Sequence, residues 1–89
     1  MKEKIKLAIL GSTGSIGRQT IEVVEMFPEI FEIEVLTANE NVELLAKQSL
    51  EHHPNAVVIS NQELYLELKD MLKDTDIKVF SGADSINHI

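Results

Sequence analysis

Apolar residues in this 89-residue chain gather in short runs, and between the runs they recur every three or four positions. Residues 5–10 (IKLAIL) are nearly all apolar and stop at a glycine, the pattern of a strand buried on both faces. Residues 11–17 (GSTGSIG) cannot continue that strand, because glycines and serines punctuate them. Ile16, Thr20, Val23, Val24 and Phe27 then fall on one face of a helix that Pro28 ends, with Glu22 and Glu25 on the other side. A second strand is expected over 33–37, its start nearer water because Glu32 and Glu34 flank Ile33. Asn41 is placed to cap a second helix, with Glu43 in its first turn. Val42, Leu45, Ala46 and Leu50 form the apolar face of that helix, and Pro54 closes it. Residues 56–59 (AVVI) make a third strand. Asn61 caps a third helix with the stripe Leu64, Leu68, Met71 and Leu72, and 77–80 make a fourth strand. Ser81, Gly82 and Ala83 form a turn, and Asp84 holds the cap position of a fourth helix.

The order βαβαβαβ with short connections specifies an α/β fold: a parallel sheet with right-handed crossovers, Rossmann-like. Three helices over four strands leave one face of such a sheet thinly covered. The reading is therefore a truncated domain, with 1–89 the partial dinucleotide-binding domain of a longer protein and its catalytic and carboxyl-terminal domains absent. No repeat, low-complexity stretch or linker interrupts the pattern.

Composition narrows the partners. Eight Lys and Arg against fifteen Asp and Glu give a formal charge of −7, which argues against nucleic acid, since phosphate backbones are held by clustered cations. The absence of cysteine removes disulfides, thiolate metal sites and a cysteine nucleophile. No apolar run exceeds four residues, far short of the roughly 20 a spanning helix needs, and the amino terminus lacks a signal-like stretch. A soluble, cytoplasmic protein with no membrane partner is expected.

The candidate chemistry sits at 11–17, where strand hands over to helix. A phosphate cradle needs a tight turn, backbone N–H groups converging on one point, no side chain in the way, and a helix starting there with its positive end toward the anion. Gly11 allows the turn, Gly14 allows close approach, and Gly17 lets the helix pack on the strand. Thr13 and Ser15 add hydroxyl donors. The spacing is G-x-x-G-x-x-G rather than G-x-G-x-x-G, so the strand before and the helix after carry much of the signal. At the end of the second strand no acid stands where a ribose 2′-hydroxyl is usually bound, which weakly favours NADP, yet no base stands there either. Thr37, Asn39 and Asn41 are the available hydrogen-bond donors, Asn41 with the alternative of simply capping its helix. Glu40 beside them repels a phosphate unless it points to solvent.

Residues 7–24 (LAILGSTGSIGRQTIEVV) resemble the opening of the 1-deoxy-D-xylulose 5-phosphate reductoisomerase family. The likeness rests on the run 9–17 with Thr20, Val23 and Val24, and continues through Val35-Leu36-Thr37-Ala38, Asn41-Val42 and Val79-Phe80-Ser81-Gly82. The resemblance implies an NADPH-dependent oxidoreductase and isomerase of non-mevalonate isoprene biosynthesis. Such an enzyme converts 1-deoxy-D-xylulose 5-phosphate to 2-C-methyl-D-erythritol 4-phosphate as a homodimer with a divalent cation, magnesium or manganese. It implies that Thr13, Gly14, Ser15 and Ile16 contact the cofactor phosphates and that Asn41 lies at the adenosine 2′-phosphate. Many family members carry a glycine and a basic residue just before that asparagine; here those positions are Asn39 and Glu40. The family's metal and catalytic residues match no position in this chain, so the chain alone is expected to bind the dinucleotide and catalyse nothing. The alternatives are part of another NAD(P)-dependent dehydrogenase, such as an aspartate-semialdehyde dehydrogenase or a nucleotide-sugar epimerase, or a non-catalytic nucleotide-binding module.

The remaining candidates read as structural. His52 and His53 are adjacent on a helix and point about 100° apart, so sharing one metal ion is disfavoured and a helix-end role is expected. The acidic run Glu22, Glu25, Glu29, Glu32 and Glu34 reads as a solvated face without partners. Arg18 is either an exposed helix residue or within reach of a pyrophosphate. Tyr65 and Phe31 are packing residues, and His88 tells little.

Overall fold

A computed structural model describes residues 3–82. Four strands and three helices alternate: β1 (Ile5–Ile9), α1 (Ser15–Met26), β2 (Phe31–Ala38), α2 (Val42–His52), β3 (Ala56–Ile59), α3 (Tyr65–Met71) and β4 (Lys78–Ser81). A single 3₁₀ turn, Gln62–Leu64, leads into α3. The expected βαβαβαβ order is what forms. The cap at Asp84 and the helix it would start lie outside the described residues. Among those residues no helix is long and apolar enough to cross a membrane.

The sheet is parallel throughout, in the order β1-β2-β3-β4. Each crossover therefore steps the same way, and right-handed crossovers that step the same way put every helix on one face. The core agrees. Ile21 and Val24 of α1, Val42, Leu45 and Ala46 of α2, Leu68 of α3 and Leu72 just after it join one cluster with Ile9, Ile33, Leu36, Ala38, Val57 and Ile59. The alternate residues Val35, Ala56 and Val58 are also buried yet lie outside that cluster. Apolar residues on both faces are the signature of a parallel strand. Among the described residues β1 and β4 are the edge strands, paired only to β2 and β3 respectively.

The register contains one irregularity. Leu7 pairs with Ile33 and Ala8 pairs with Val35, so Glu34 is an extra residue in β2. That bulge explains why Ile33 and Leu36, three apart, share the core face. Strict alternation would have sent them to opposite sides.

Helix α1 buries a different face from the one its apolar spacing suggests. Gly17, Ile21 and Val24 are buried, whereas Ile16 is 79% exposed, Val23 48% and Phe27 40%. Of the expected stripe Ile16, Thr20, Val23, Val24 and Phe27, only Val24 is buried, and the buried face is shifted to Gly17, Ile21 and Val24. The glycine, not the larger apolar side chains, meets the sheet side, because only Gly17 can approach the preceding loop. In α2 the correction is smaller: Leu50 is exposed, and Gln48 and Ser49 are buried in its place. In α3, Leu68 and Leu72 are buried as expected, while Met71 is exposed.

Candidate functional site

The turns after β1, β2 and β3 all emerge at the carboxyl end of the sheet, where open parallel sheets bind ligands. Gly11 takes φ +68°, a left-handed conformation that suits glycine. Its N–H donates to Thr37 Oγ1 at 2.9 Å, and the Ser12 N–H donates to the Thr37 carbonyl at 2.8 Å. The Gly14 N–H returns to the Gly11 carbonyl at 3.0 Å. The loop is therefore tied to β2 at its start and closed on itself in the middle.

Gly17 and Gly14 are glycines for opposite reasons. A Cβ on Gly17 would stand 2.3 Å from the Gly11 carbonyl oxygen and 2.6 Å from Ser12 Cα. The close packing of α1 on the loop excludes any side chain there. A Cβ on Gly14 would meet only the Gly11 carbonyl, at an ordinary 3.5 Å. Gly14 is also in an extended conformation, φ −79° and ψ 175°, that any residue adopts. Neither conformation nor internal packing demands glycine at this position. What a side chain at Gly14 would fill is the open space in front of the helix.

That space faces the start of α1. No side chain caps the helix, and its first turn holds no acid, so the positive end of the helix is left uncompensated by protein. Thr13 is half-buried, while Gly14, Ser15 and Ile16 are exposed, forming one continuous surface around the first turn. Arg18 is exposed, and its Nε donates to the Gly14 carbonyl at 3.4 Å. The guanidinium thus stands beside the loop.

Across the sheet edge, Asn41 caps α2 through Oδ1, which accepts from the Leu44 N–H at 3.2 Å. The capping role forms, and it occupies only the amide oxygen; the NH₂ group remains to donate. Asn39, Glu40 and Asn41 are all exposed. Thr37 is different. It is buried and its hydroxyl accepts from the Gly11 N–H, so it ties the end of β2 to the glycine loop. The cause is the adjacency of β1 and β2, which sets the end of β2 against the turn leaving β1.

Two polar positions tied to the loop escaped sequence reasoning. Ser12 is fully buried, and its Oγ donates to Gln48 Oε1 at 2.7 Å. Gln48 Nε2 donates in turn to the Ser12 carbonyl at 2.9 Å. The available signal was a glutamine three residues after Leu45, on a helix face otherwise built from apolar residues.

His52 and His53 lie away from this site, at the amino end of the sheet. His52 Nε2 is 3.0 Å from Glu25 Oε2, and Glu51 joins them within 4.8 Å. Glu25 therefore has a partner, contrary to the solvated-face expectation, because the carboxyl ends of α1 and α2 lie side by side. His53 takes the left-handed cap of α2 at φ 50°, as a helix-end role requires. A groove of about 510 Å³ at the same end is lined by Glu32, Glu34, Asp74 and Asp76, a setting that repels phosphate.

A family model described as 1-deoxy-D-xylulose 5-phosphate reductoisomerase matches residues 7–89. A curated relative of that description from Phocaeicola vulgatus is 50% identical over 86 residues, covering 97% of this chain and 22% of its own. Among solved structures, the reductoisomerase from Zymomonas mobilis in complex with NADPH superposes with a TM-score of 0.91 at 31% identity, over 97% of this chain and 23% of that one. A reductoisomerase in complex with magnesium gives 0.90 at 31% identity, over 98% and 22%. The chain thus spans about a fifth of the length of the curated relatives it matches.

Proposed function

The chain belongs to the 1-deoxy-D-xylulose 5-phosphate reductoisomerase family, and from that premise we propose that residues 1–89 form the opening part of an NADPH-binding domain. The whole protein then converts 1-deoxy-D-xylulose 5-phosphate to 2-C-methyl-D-erythritol 4-phosphate in isoprene biosynthesis, as a cytoplasmic homodimer using magnesium or manganese. NADPH supplies the hydride for that conversion. The cation and the substrate are held by residues outside this stretch. The role of this stretch is binding.

Within it, Thr13, Gly14, Ser15 and Ile16 receive the cofactor diphosphate, Thr13, Ser15 and Ile16 through their backbone N–H groups and Gly14 by the space its missing side chain leaves, and the Asn41 amide donates to the adenosine 2′-phosphate. The observation that carries the reading is Gly14, a glycine required by nothing inside the protein, placed before an uncapped helix start. An anion there gains directed N–H donors and the helix dipole together. Titration of the full-length protein with NADPH, followed by nicotinamide fluorescence, tests it. Saturable binding is expected, and a protein that shows none refutes the assignment.

The charge at Glu40 gives a second measurement. This exposed acid precedes Asn41, where many family members carry a base. Glu40→Lys exchanges repulsion for attraction near a doubly charged phosphate. We expect NADPH to bind several-fold tighter at low salt, less so at about 0.15 M, where screening acts within roughly 8 Å. NADH, which lacks the 2′-phosphate, should not respond. Equal effects on both cofactors would remove Asn41 and its loop from the 2′ site.

A further inference from the structure

We propose that Gln48 is a positioning residue for the cofactor diphosphate, acting through Ser12, an inference that rests on the dinucleotide reading above. Its side-chain amide meets Ser12 twice. Oε1 accepts from the Ser12 hydroxyl at 2.7 Å, and Nε2 donates to the Ser12 carbonyl at 2.9 Å. Ser12 is fully buried and Gln48 is 6% exposed, so water cannot substitute for either bond. A paired donor and acceptor fix the amide's orientation as well as its distance.

The consequence lies one residue on. The peptide group whose oxygen Gln48 holds is the one that carries the Thr13 N–H, because the Ser12 carbonyl and the Thr13 amide share one rigid plane. Holding that oxygen aims that N–H. Thr37 does the same work upstream through Gly11 and the Ser12 N–H. Together β2 and α2 fix the loop on both sides of Ser12, leaving the Thr13 N–H pre-set for an anion beside the open space at Gly14. Preorganised donors lose little entropy on binding, which is where such a clamp contributes affinity. Helix α2 also carries Asn41 at its start, seven residues and roughly 10 Å from Gln48. One rigid element therefore sets the spacing between the diphosphate loop and the 2′-phosphate donor.

The test uses the full-length protein and two probes. NADPH carries both the diphosphate and the 2′-phosphate, whereas adenosine 2′-monophosphate carries only the latter. Gln48→Met keeps the length and apolar fit of the side chain while removing both bonds. We expect its NADPH Kd to rise about tenfold, equivalent to 1.4 kcal/mol. Adenosine 2′-monophosphate should bind as in the wild type, and kcat at saturating NADPH should change less than twofold. Should Gln48→Met fold poorly, Ser12→Ala removes the shorter bond alone and should raise the NADPH Kd about threefold. Gln48→Glu supplies a further signature. Its carboxylate repels the Ser12 carbonyl, but its protonated form restores both bonds, so its Kd relative to wild type should fall as pH is lowered from 8.5 to 6.5. Wild-type affinity for NADPH in Gln48→Met and Ser12→Ala overturns the clamp while leaving the cradle intact. Equal weakening of both probes overturns it as well, by making the effect one of general stability. Wild-type protein that binds no NADPH overturns the cradle and the clamp together.

Discussion

Gly17→Ala is expected to destabilise the protein by about 3 kcal/mol or more, although alanine is the better helix former. Two effects compete. Replacing glycine within a helix gains up to about 1 kcal/mol from propensity and chain entropy. Against it, the new methyl would sit 2.3 Å from the Gly11 oxygen, 2.6 Å from Ser12 Cα and 2.9 Å from the Gly11 carbonyl carbon. All three neighbours are backbone, so no side chain can swing aside. Relief requires α1 to lift from the loop, which separates Ile21 and Val24 from the core as well. Overpacking commonly costs about 1–3 kcal/mol where side chains can adjust, and here they cannot. Thermal denaturation of the full-length variant measures the loss. A midpoint within a degree or two of wild type would mean that the helix and loop are not packed this closely.

The same glycine shows where the sequence was readable and where it was not. The pattern of short apolar runs and helical spacings placed every strand and helix of residues 3–82 to within a few positions, because burial on both faces leaves a plain mark on a parallel strand. It also assigned the three glycines of the loop to turn, approach and packing. Gly11 at φ +68° and Gly17 at 2.3 Å from its neighbour fit those assignments. What the pattern missed was the consequence. If Gly17 touches the loop, then the buried face of α1 runs through Gly17, Ile21 and Val24. A periodicity that counts apolar side chains passes over the residue that has none, and so selected Ile16 and Val23, which are exposed.

Polar residues inside apolar faces were illegible for a related reason. Leu50 suits the buried face of α2 by hydropathy and Gln48 does not, yet Gln48 is buried and Leu50 is 47% exposed. A buried amide is tolerable only when its hydrogen bonds are met, and the partner that meets them, Ser12, lies 36 residues away. Spacing within one helix carries no trace of that partner. Thr37 is a similar case: its proximity to the expected 2′ site is visible in one dimension, but the neighbouring glycine turn that engages its hydroxyl is not. The bulge at Glu34 is a further case, since one extra residue changes which side chains share a face without changing composition.

Gly14→Val should abolish most NADPH binding while leaving the unliganded fold nearly unchanged. Valine adopts φ −79° and ψ 175° readily, being in the extended region, and its Cβ has an ordinary 3.5 Å contact as nearest neighbour. The two γ-methyl groups must then occupy the space before the first turn of α1. A diphosphate held there by charge-assisted N–H bonds, each contributing roughly 1.5–3 kcal/mol, cannot approach to bonding distance. Loss of two such bonds weakens Kd on the order of 100-fold or more. The stability measurement sharpens the contrast. At a concentration 100 times its Kd, NADPH stabilises the wild type by about 2.7 kcal/mol. In a variant weakened 100-fold, the same concentration gives RT ln 2, about 0.4 kcal/mol. The unliganded midpoints should therefore coincide while the NADPH-induced shift nearly disappears, the reverse of Gly17→Ala, which lowers the unliganded midpoint itself. A variant that keeps the wild-type shift would place the diphosphate somewhere other than the turn between β1 and α1.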